Sequence, residues 1–147
     1  MRYILDTNVL LRLVLVDEPD HPVVLNAVTK LESEGHELCC TTQSLREFWH
    51  VGTRSSEANG LGRSPEDILA LISEICGRCR VLSEDAATFD EWLTLVSSAS
   101  VRGAACHDAN HIAIAKAHRV DRVMTFDLGH FNRFTASGIV AVSPRDI

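Results

Sequence analysis

Short apolar runs alternate along the chain with longer amphipathic stretches. RYIL (2–5), ELCCT (37–41), CRVL (79–82), RVMTF (122–126) and IVAV (139–142) have the length and composition of buried strands. The segments between them read as helices. VLLRLVLV (9–16) and PVVLNAVTKLES (22–33) follow the first strand, with Gly35 placed to end the second helix. SLREFWHVG (44–52) sets Leu45, Phe48, Trp49 and Gly52 at i, i+3, i+4 and i+7, and SPEDILALISEIC (64–76) opens with Ser64, Pro65 and two acids, the signature of a helix start. AATFDEWLTLVSSA (86–99) and HDANHIAIAKAH (107–118) complete the set. Strands separated by helices of this length require right-handed crossovers and a mostly parallel sheet covered on both faces, so the expected fold class is α/β.

Size agrees with this pattern. A chain of 147 residues, 46% hydrophobic, buries most of its apolar surface in one compact unit, and a single domain over 1–147 is expected. No run of about 18 apolar residues is present to span a bilayer. MRYILDTN turns polar after five residues, unlike a signal peptide, and the five cysteines lack framework-like spacing; a cytoplasmic, reducing location is expected.

A net charge of −6, from 14 basic and 20 acidic residues, argues against nucleic acid as a partner unless several carboxylates converge on a metal that neutralises them locally. All but two of the bases are arginine, whose planar fork suits phosphate, although biased genome composition explains the same excess.

Two stretches carry alternatives. GTRSSEANGLGRS (52–64), rich in Gly and Ser, reads as a mobile surface loop, either a plain connection or a flap over a groove. Cys76-Gly-Arg-Cys79 has C-x-x-C spacing, but it closes a helix where a thioredoxin-like pair opens one, and Cys39-Cys40 would point to opposite faces of a strand. The cysteines are therefore expected to be buried or incidental thiols.

Ligands of open α/β sheets bind beyond the carboxyl ends of the strands. Asp6, Thr7 and Asn8 follow RYIL; Thr125 and Asp127 close RVMTF; Glu47 lies one turn into the helix after ELCCT; Asp108 sits in the first turn of the helix after Gly103. Each acid has a plainer reading: Asp6 or Asn8 as a helix cap, Asp127 as a cap of LGHF, Asp108 as a dipole partner, Ser44-x-x-Glu47 as a capping box. Four caps at one edge would leave four like charges without a counter-charge, and such a cluster calls for a cation. Mg²⁺ or Mn²⁺ is the natural partner of carboxylate oxygens and serves phosphoryl chemistry. A phosphatase using D-x-D after its first strand is disfavoured, because position 8 is Asn.

At these residues the sequence resembles the PIN-domain ribonucleases, in particular the VapC-type toxins of toxin–antitoxin systems. DTNVLLR (6–12), LREFWHV (45–51) and VRGAACHDANHIAIAKAHRVDRVMTFDLGHF (101–131) carry the likeness, which runs from residue 3 to about residue 142. It implies a PIN-like three-layer α/β/α fold with about five strands. It also implies that Asp6, Glu47, Asp108 and Asp127 are the catalytic, metal-binding carboxylates, supported by Thr7, Asn8 and Thr125. The implied reaction is hydrolysis of RNA by water with the help of Mg²⁺ or Mn²⁺, leaving a 5′-phosphate and a 3′-hydroxyl. A cognate VapB-type antitoxin is the implied inhibitor, and VLLRLVLV is a candidate contact for it or for a homodimer, against the simpler reading as core. No membrane partner is expected. A module that holds metal or RNA without cutting is the alternative.

Arg46, Arg54, Arg63 and Arg102 lie in or beside segments expected to border the cleft and are candidate phosphate contacts, each with solvated surface arginine as the plainer reading. Aromatic residues are sparse at 5%, and Phe48 and Trp49 have core-like spacing, so recognition by RNA shape and backbone is expected in place of base stacking. His107 and His111 share a helix face in an H-D-x-x-H pattern. A zinc-protease site would need a third ligand and the longer Glu as base, so Asp108 is the expected ligand and the histidines its neighbours.

Overall fold

A computed structural model describes residues 1–147. The elements run β1 (Arg2–Leu5), α1 (Thr7–Val14), α2 (His21–Ser33), β2 (Glu37–Thr41), α3 (Thr42–Thr53), α4 (Pro65–Arg78), β3 (Arg80–Leu82), α5 (Ala86–Ser98), α6 (Ala105–Ala117), β4 (Arg122–Met124), α7 (Leu128–Phe131) and β5 (Val140–Val142). Every expected strand and helix is present, with ends shifted by a few residues. The short LGHF turn after Asp127 is α7, and the 3₁₀ turns at Ser56–Ala58, Asn132–Ser137 and Pro144–Asp146 were not anticipated.

The five strands pair in the order β3-β2-β1-β4-β5, all parallel. Alternation along each strand divides the core in two. Tyr3, Leu5, Cys40 and Met124 pack with α1 to α4 on one face; Ile4, Cys39 and Val123 pack with α5 and α6 on the other. The result is the α/β/α sandwich. From β1 the chain steps outward to β2 and β3, then returns across β1 to β4. Strand order therefore reverses at β1, and the crevice at the carboxyl ends of β1 and β4 is where such a sheet offers a site.

Helix α6 is buried through its middle: Ala109, Ala113, Ile114 and Ala115 are fully buried and Ile112 nearly so, while His107, Lys116 and Ala117 stay exposed. Gly103, at φ +58°, makes the turn that aims this helix, and the Trp92 indole N–H donates to Cys106 O at 2.9 Å, pinning α5 against its first turn. Asp108 is thereby held at the sheet edge by a rigid element.

Two expectations change here. The stretch after α3 is tied down: Leu61, Gly62 and Arg63 N–H groups donate to Val51 O, Arg54 O and Gly52 O at 2.9, 2.9 and 3.0 Å. Backbone hydrogen bonding, invisible in a Gly/Ser-rich composition, ties the end of this stretch to the last turn of α3. The capping box lies three residues earlier than the alternative reading of Ser44-x-x-Glu47 places it, because Thr41 caps α3 and Ser44 reciprocates. Glu47 is left without a capping task.

Candidate metal centre

Asp6 ends β1 and begins α1. Its Oδ1 accepts the Thr7 N–H at 2.7 Å, so the cap reading holds for one oxygen. Its Oδ2 accepts from Thr125 Oγ1 at 2.7 Å and Asn8 Nδ2 at 2.9 Å, which ties the ends of β1 and β4 together. Thr125 is fully buried and also accepts the Asp127 N–H at 3.0 Å. The Asn8 amide reaches Asp127 Oδ2 at 3.1 Å, and its oxygen accepts the Phe126 N–H at 3.2 Å. Asp127 precedes α7 but makes no side-chain cap bond. Thr7, Asn8 and Thr125 each donate a hydrogen bond to a carboxylate of this group.

Glu47 enters from α3. Its Oε2 accepts from Thr7 Oγ1 and its Oε1 from Gln43 Nε2, both at 2.6 Å. His111, one turn after Asp108 on α6, is almost completely buried; its Nε2 lies 3.7 Å from Asp6 Oδ1 and its Nδ1 3.4 Å from Thr41 Oγ1. One donor atom each from Asp6, Glu47 and His111 all fall within 4.8 Å of one another. Asp108 and Asp127 stand outside this tight group. Asp108 is nonetheless coupled to it: burial pushes its pKa above the ordinary aspartate value, the Asp6 charge adds to that rise, and His130, His111 and Arg133 oppose it. His130 Nδ1 is 3.9 Å from Asp108 Oδ2.

Two carboxylates and an imidazole within such a span match the donor set of a divalent first-row or alkaline-earth cation; the imidazole suits Mn²⁺ better than Mg²⁺. Gln43 and His130 were not singled out by sequence, and His111 only as a neighbour of Asp108 without an assigned role. The i, i+4 relation of His107 and His111 was visible, but the two separate in space: His107 is exposed, and His111 points at Asp6.

The four arginines differ in setting. Arg46 is exposed on α3, 3.8 Å from Glu84; Arg63 and Arg102 are exposed. Arg54 donates to Asn59 O at 2.8 Å and is occupied in closing the loop after α3. Cys39, Cys40 and Cys79 are buried, and burial raises the first two thiols to about 11 and about 12, so neither is a thiolate at neutral pH. All five cysteines are free.

Residues 3–136 match the PIN domain family, and the chain belongs to it. In three dimensions it is similar to the DNA-bound VapBC complex of Salmonella typhimurium, with 20% identity, 98% of each chain covered and a TM-score of 0.73. VapBC-1 of nontypeable Haemophilus influenzae gives 16%, 98% of each chain and 0.73. VapC20 of Mycobacterium tuberculosis, a toxin that cleaves the sarcin-ricin loop, gives 15% identity, covers 91% of this chain and 94% of its own, and has a TM-score of 0.61. No match is found among curated protein sequences. No helix is long and apolar enough to cross a membrane.

Proposed function

We propose that the chain is a VapC-type toxin, an endoribonuclease that hydrolyses RNA with Mg²⁺ or Mn²⁺ held by carboxylates. The observation that carries this reading is that Thr7 holds both Asp6 and Glu47, fixing two acids from different elements beside His111. Four separated sequence segments bring their acids to one sheet edge, and buried hydroxyl and amide groups are spent on orienting them.

Asp6, Glu47 and His111 would hold a first ion, with Asp108 and Asp127 completing the acidic rim or acting through water. When bound, the ion lowers the pKa of water and screens charge on a phosphodiester. The chain's own contribution is orientation and charge. The Gln43 amide and the Thr7 hydroxyl hold Glu47 so that a carboxylate oxygen can receive a proton from attacking water. Arg133, beside Asp108, supplies positive charge at the rim where a phosphate would approach, and His130 offers a ring N–H there. No covalent nucleophile is required.

The same reading assigns a VapB-type antitoxin as inhibitor, supported by the similar VapBC complexes, and allows a homodimer. Expression of the chain alone tests the proposal: growth arrest with RNA breakage is expected, and both should vanish with Asp6→Asn. Arrest that persists through substitution of every acid would reject a nuclease, while metal and RNA binding without cleavage would favour the non-catalytic module.

A further inference from the structure

Beside the acidic centre lies a second concavity of 260 Å³, between the end of β3 and the start of α6. Its walls include Phe89 and Trp92 from α5, Glu84, His107, Asn110 and Gln43. Phe89 is 57% exposed. It lies against Trp92 with ring centroids 5.7 Å apart and planes tilted by 30°. The indole N–H is consumed by Cys106 O, which fixes the Trp92 ring in place. The cavity thus has a fixed aromatic wall, continued by Cys106, with polar groups on its remaining sides.

Those polar groups are wired to the acidic centre. Glu47 Oε1 accepts from Gln43 Nε2 at 2.6 Å, Gln43 Oε1 accepts from Asn110 Nδ2 at 2.7 Å, and the same amide nitrogen donates to Glu84 Oε1 at 3.2 Å. Glu84 Oε2, Asn110 Oδ1 and the His107 ring make no hydrogen bond within the chain. An aromatic face with unsatisfied acceptors around it is the chemistry that receives an unpaired base, by stacking and by edge hydrogen bonds. The volume lies below the roughly 300–1,000 Å³ of pockets for drug-sized ligands and suits one base.

We propose that this concavity holds a single unpaired guanine of the RNA substrate, one that lies beside the cut phosphate. The assignment rests on the ribonuclease reading for the substrate and on the cavity for the base. Phe89 and Trp92 stack on the ring. The Glu84 carboxylate accepts from the N1–H and exocyclic amine that guanine alone presents together on its Watson–Crick edge, and Asn110 and His107 border the same edge. Gln43 links the base to the acidic centre, because one amide touches both the cavity wall and Glu47.

Trp92 reports on this directly. In a Trp49→Phe background it is the one remaining tryptophan of two, and its fluorescence is titrated with GMP, AMP, CMP and UMP in chelator, where no cleavage occurs. Saturable quenching is expected with GMP at about tenfold lower concentration than with the other three; Phe89→Ala weakens it about tenfold, and Glu84→Gln removes the preference while leaving stacking. Absence of saturable quenching, or quenching indifferent to Phe89→Ala, overturns the cavity as a base site. Equal quenching by all four nucleotides overturns guanine and the role of Glu84. Because the titration needs neither metal nor cleavage, failure of the ribonuclease reading would show separately, as intact RNA in the presence of Mg²⁺ or Mn²⁺.

Discussion

Thr7 donates its hydroxyl to Glu47 Oε2 at 2.6 Å while its backbone N–H donates to Asp6 Oδ1 at 2.7 Å. One residue therefore sets the spacing of two acids that are 41 positions apart in sequence. Replacing it with valine keeps the shape and removes the hydroxyl. Thr7→Val is expected to lower Mg²⁺ and Mn²⁺ affinity by about 10–100-fold, the usual cost of losing a group that orients a metal ligand. Thr7→Ser should restore most of it. Isothermal titration of the three proteins measures this, and equal affinities would show that Glu47 needs no such support.

Asp108 is held partly buried in the first turn of a rigid helix, where its charge is poorly solvated and faces that of Asp6. A neutral isostere relieves both costs. Asp108→Asn is expected to melt at higher temperature than the parent in chelator and to gain less from added Mn²⁺, a trade of stability for function common at active sites. Differential scanning calorimetry with and without metal reads both changes. RNA cleavage should fall by roughly a hundredfold or more, the scale of losing a preorganised electrostatic contact.

Why was so much of this fold legible, and part of the site not? Strands such as RYIL and ELCCT are buried on both faces, so they read as uninterrupted apolar runs, and the helices between them carry their own stop and start residues. Asp6, Thr7, Asn8, Thr125 and Asp127 sit where a strand ends, a place sequence marks by the change from apolar to polar. Gln43 carries the same mark, at the second position of α3 just past the end of ELCCT, as Asn8 is at the second position of α1, but it is uncharged and does not stand out there as the acids do. His111 has no such mark: it lies inside a helix, and its role depends on how that helix is rotated toward β1, which is a property of packing. Phe89 lies in a stretch read only as a helix, whose pattern does not tell which apolar side chains its neighbours cover; it is 57% exposed.

The ion pair between Glu32 and Arg78 joins α2 to the end of α4 through two hydrogen bonds of 2.7 Å each. The guanidinium holds the Glu32 carboxyl below its ordinary pKa. A depressed carboxylate contributes stability above its unfolded pKa, about 4.3, and that contribution is lost as pH falls through the lower folded value. Glu32→Gln should therefore lower stability at pH 7 by less than about 1 kcal/mol, as for other solvent-accessible pairs, and make no difference near pH 2. Urea melts at the two pH values check the sign; a larger deficit in acid would contradict it.

Gly60 closes the loop after α3. A Cβ there would sit 2.0 Å from Arg54 O, a backbone atom that cannot swing aside. Gly60→Ala is expected to cost about 1–3 kcal/mol, or several degrees in Tm for a chain of this size. Gly77, where a Cβ meets nothing within 4 Å, serves as the control: Gly77→Ala lies inside α4 and should be neutral or stabilising.

His111 is buried with its Nε2 3.7 Å from Asp6 Oδ1, and two roles are compatible with that place. As a ligand it would favour Mn²⁺ over Mg²⁺, because imidazole is a poor ligand for the harder ion. As a neighbour it would only orient Asp6. His111→Gln separates them: loss of the ligand is expected to lower Mn²⁺ affinity about tenfold while changing Mg²⁺ affinity much less, narrowing the gap between the two metals. A parallel loss for both would assign His111 to holding Asp6 in position. Unchanged binding, with undiminished cleavage and RNA affinity, would remove it from the site altogether.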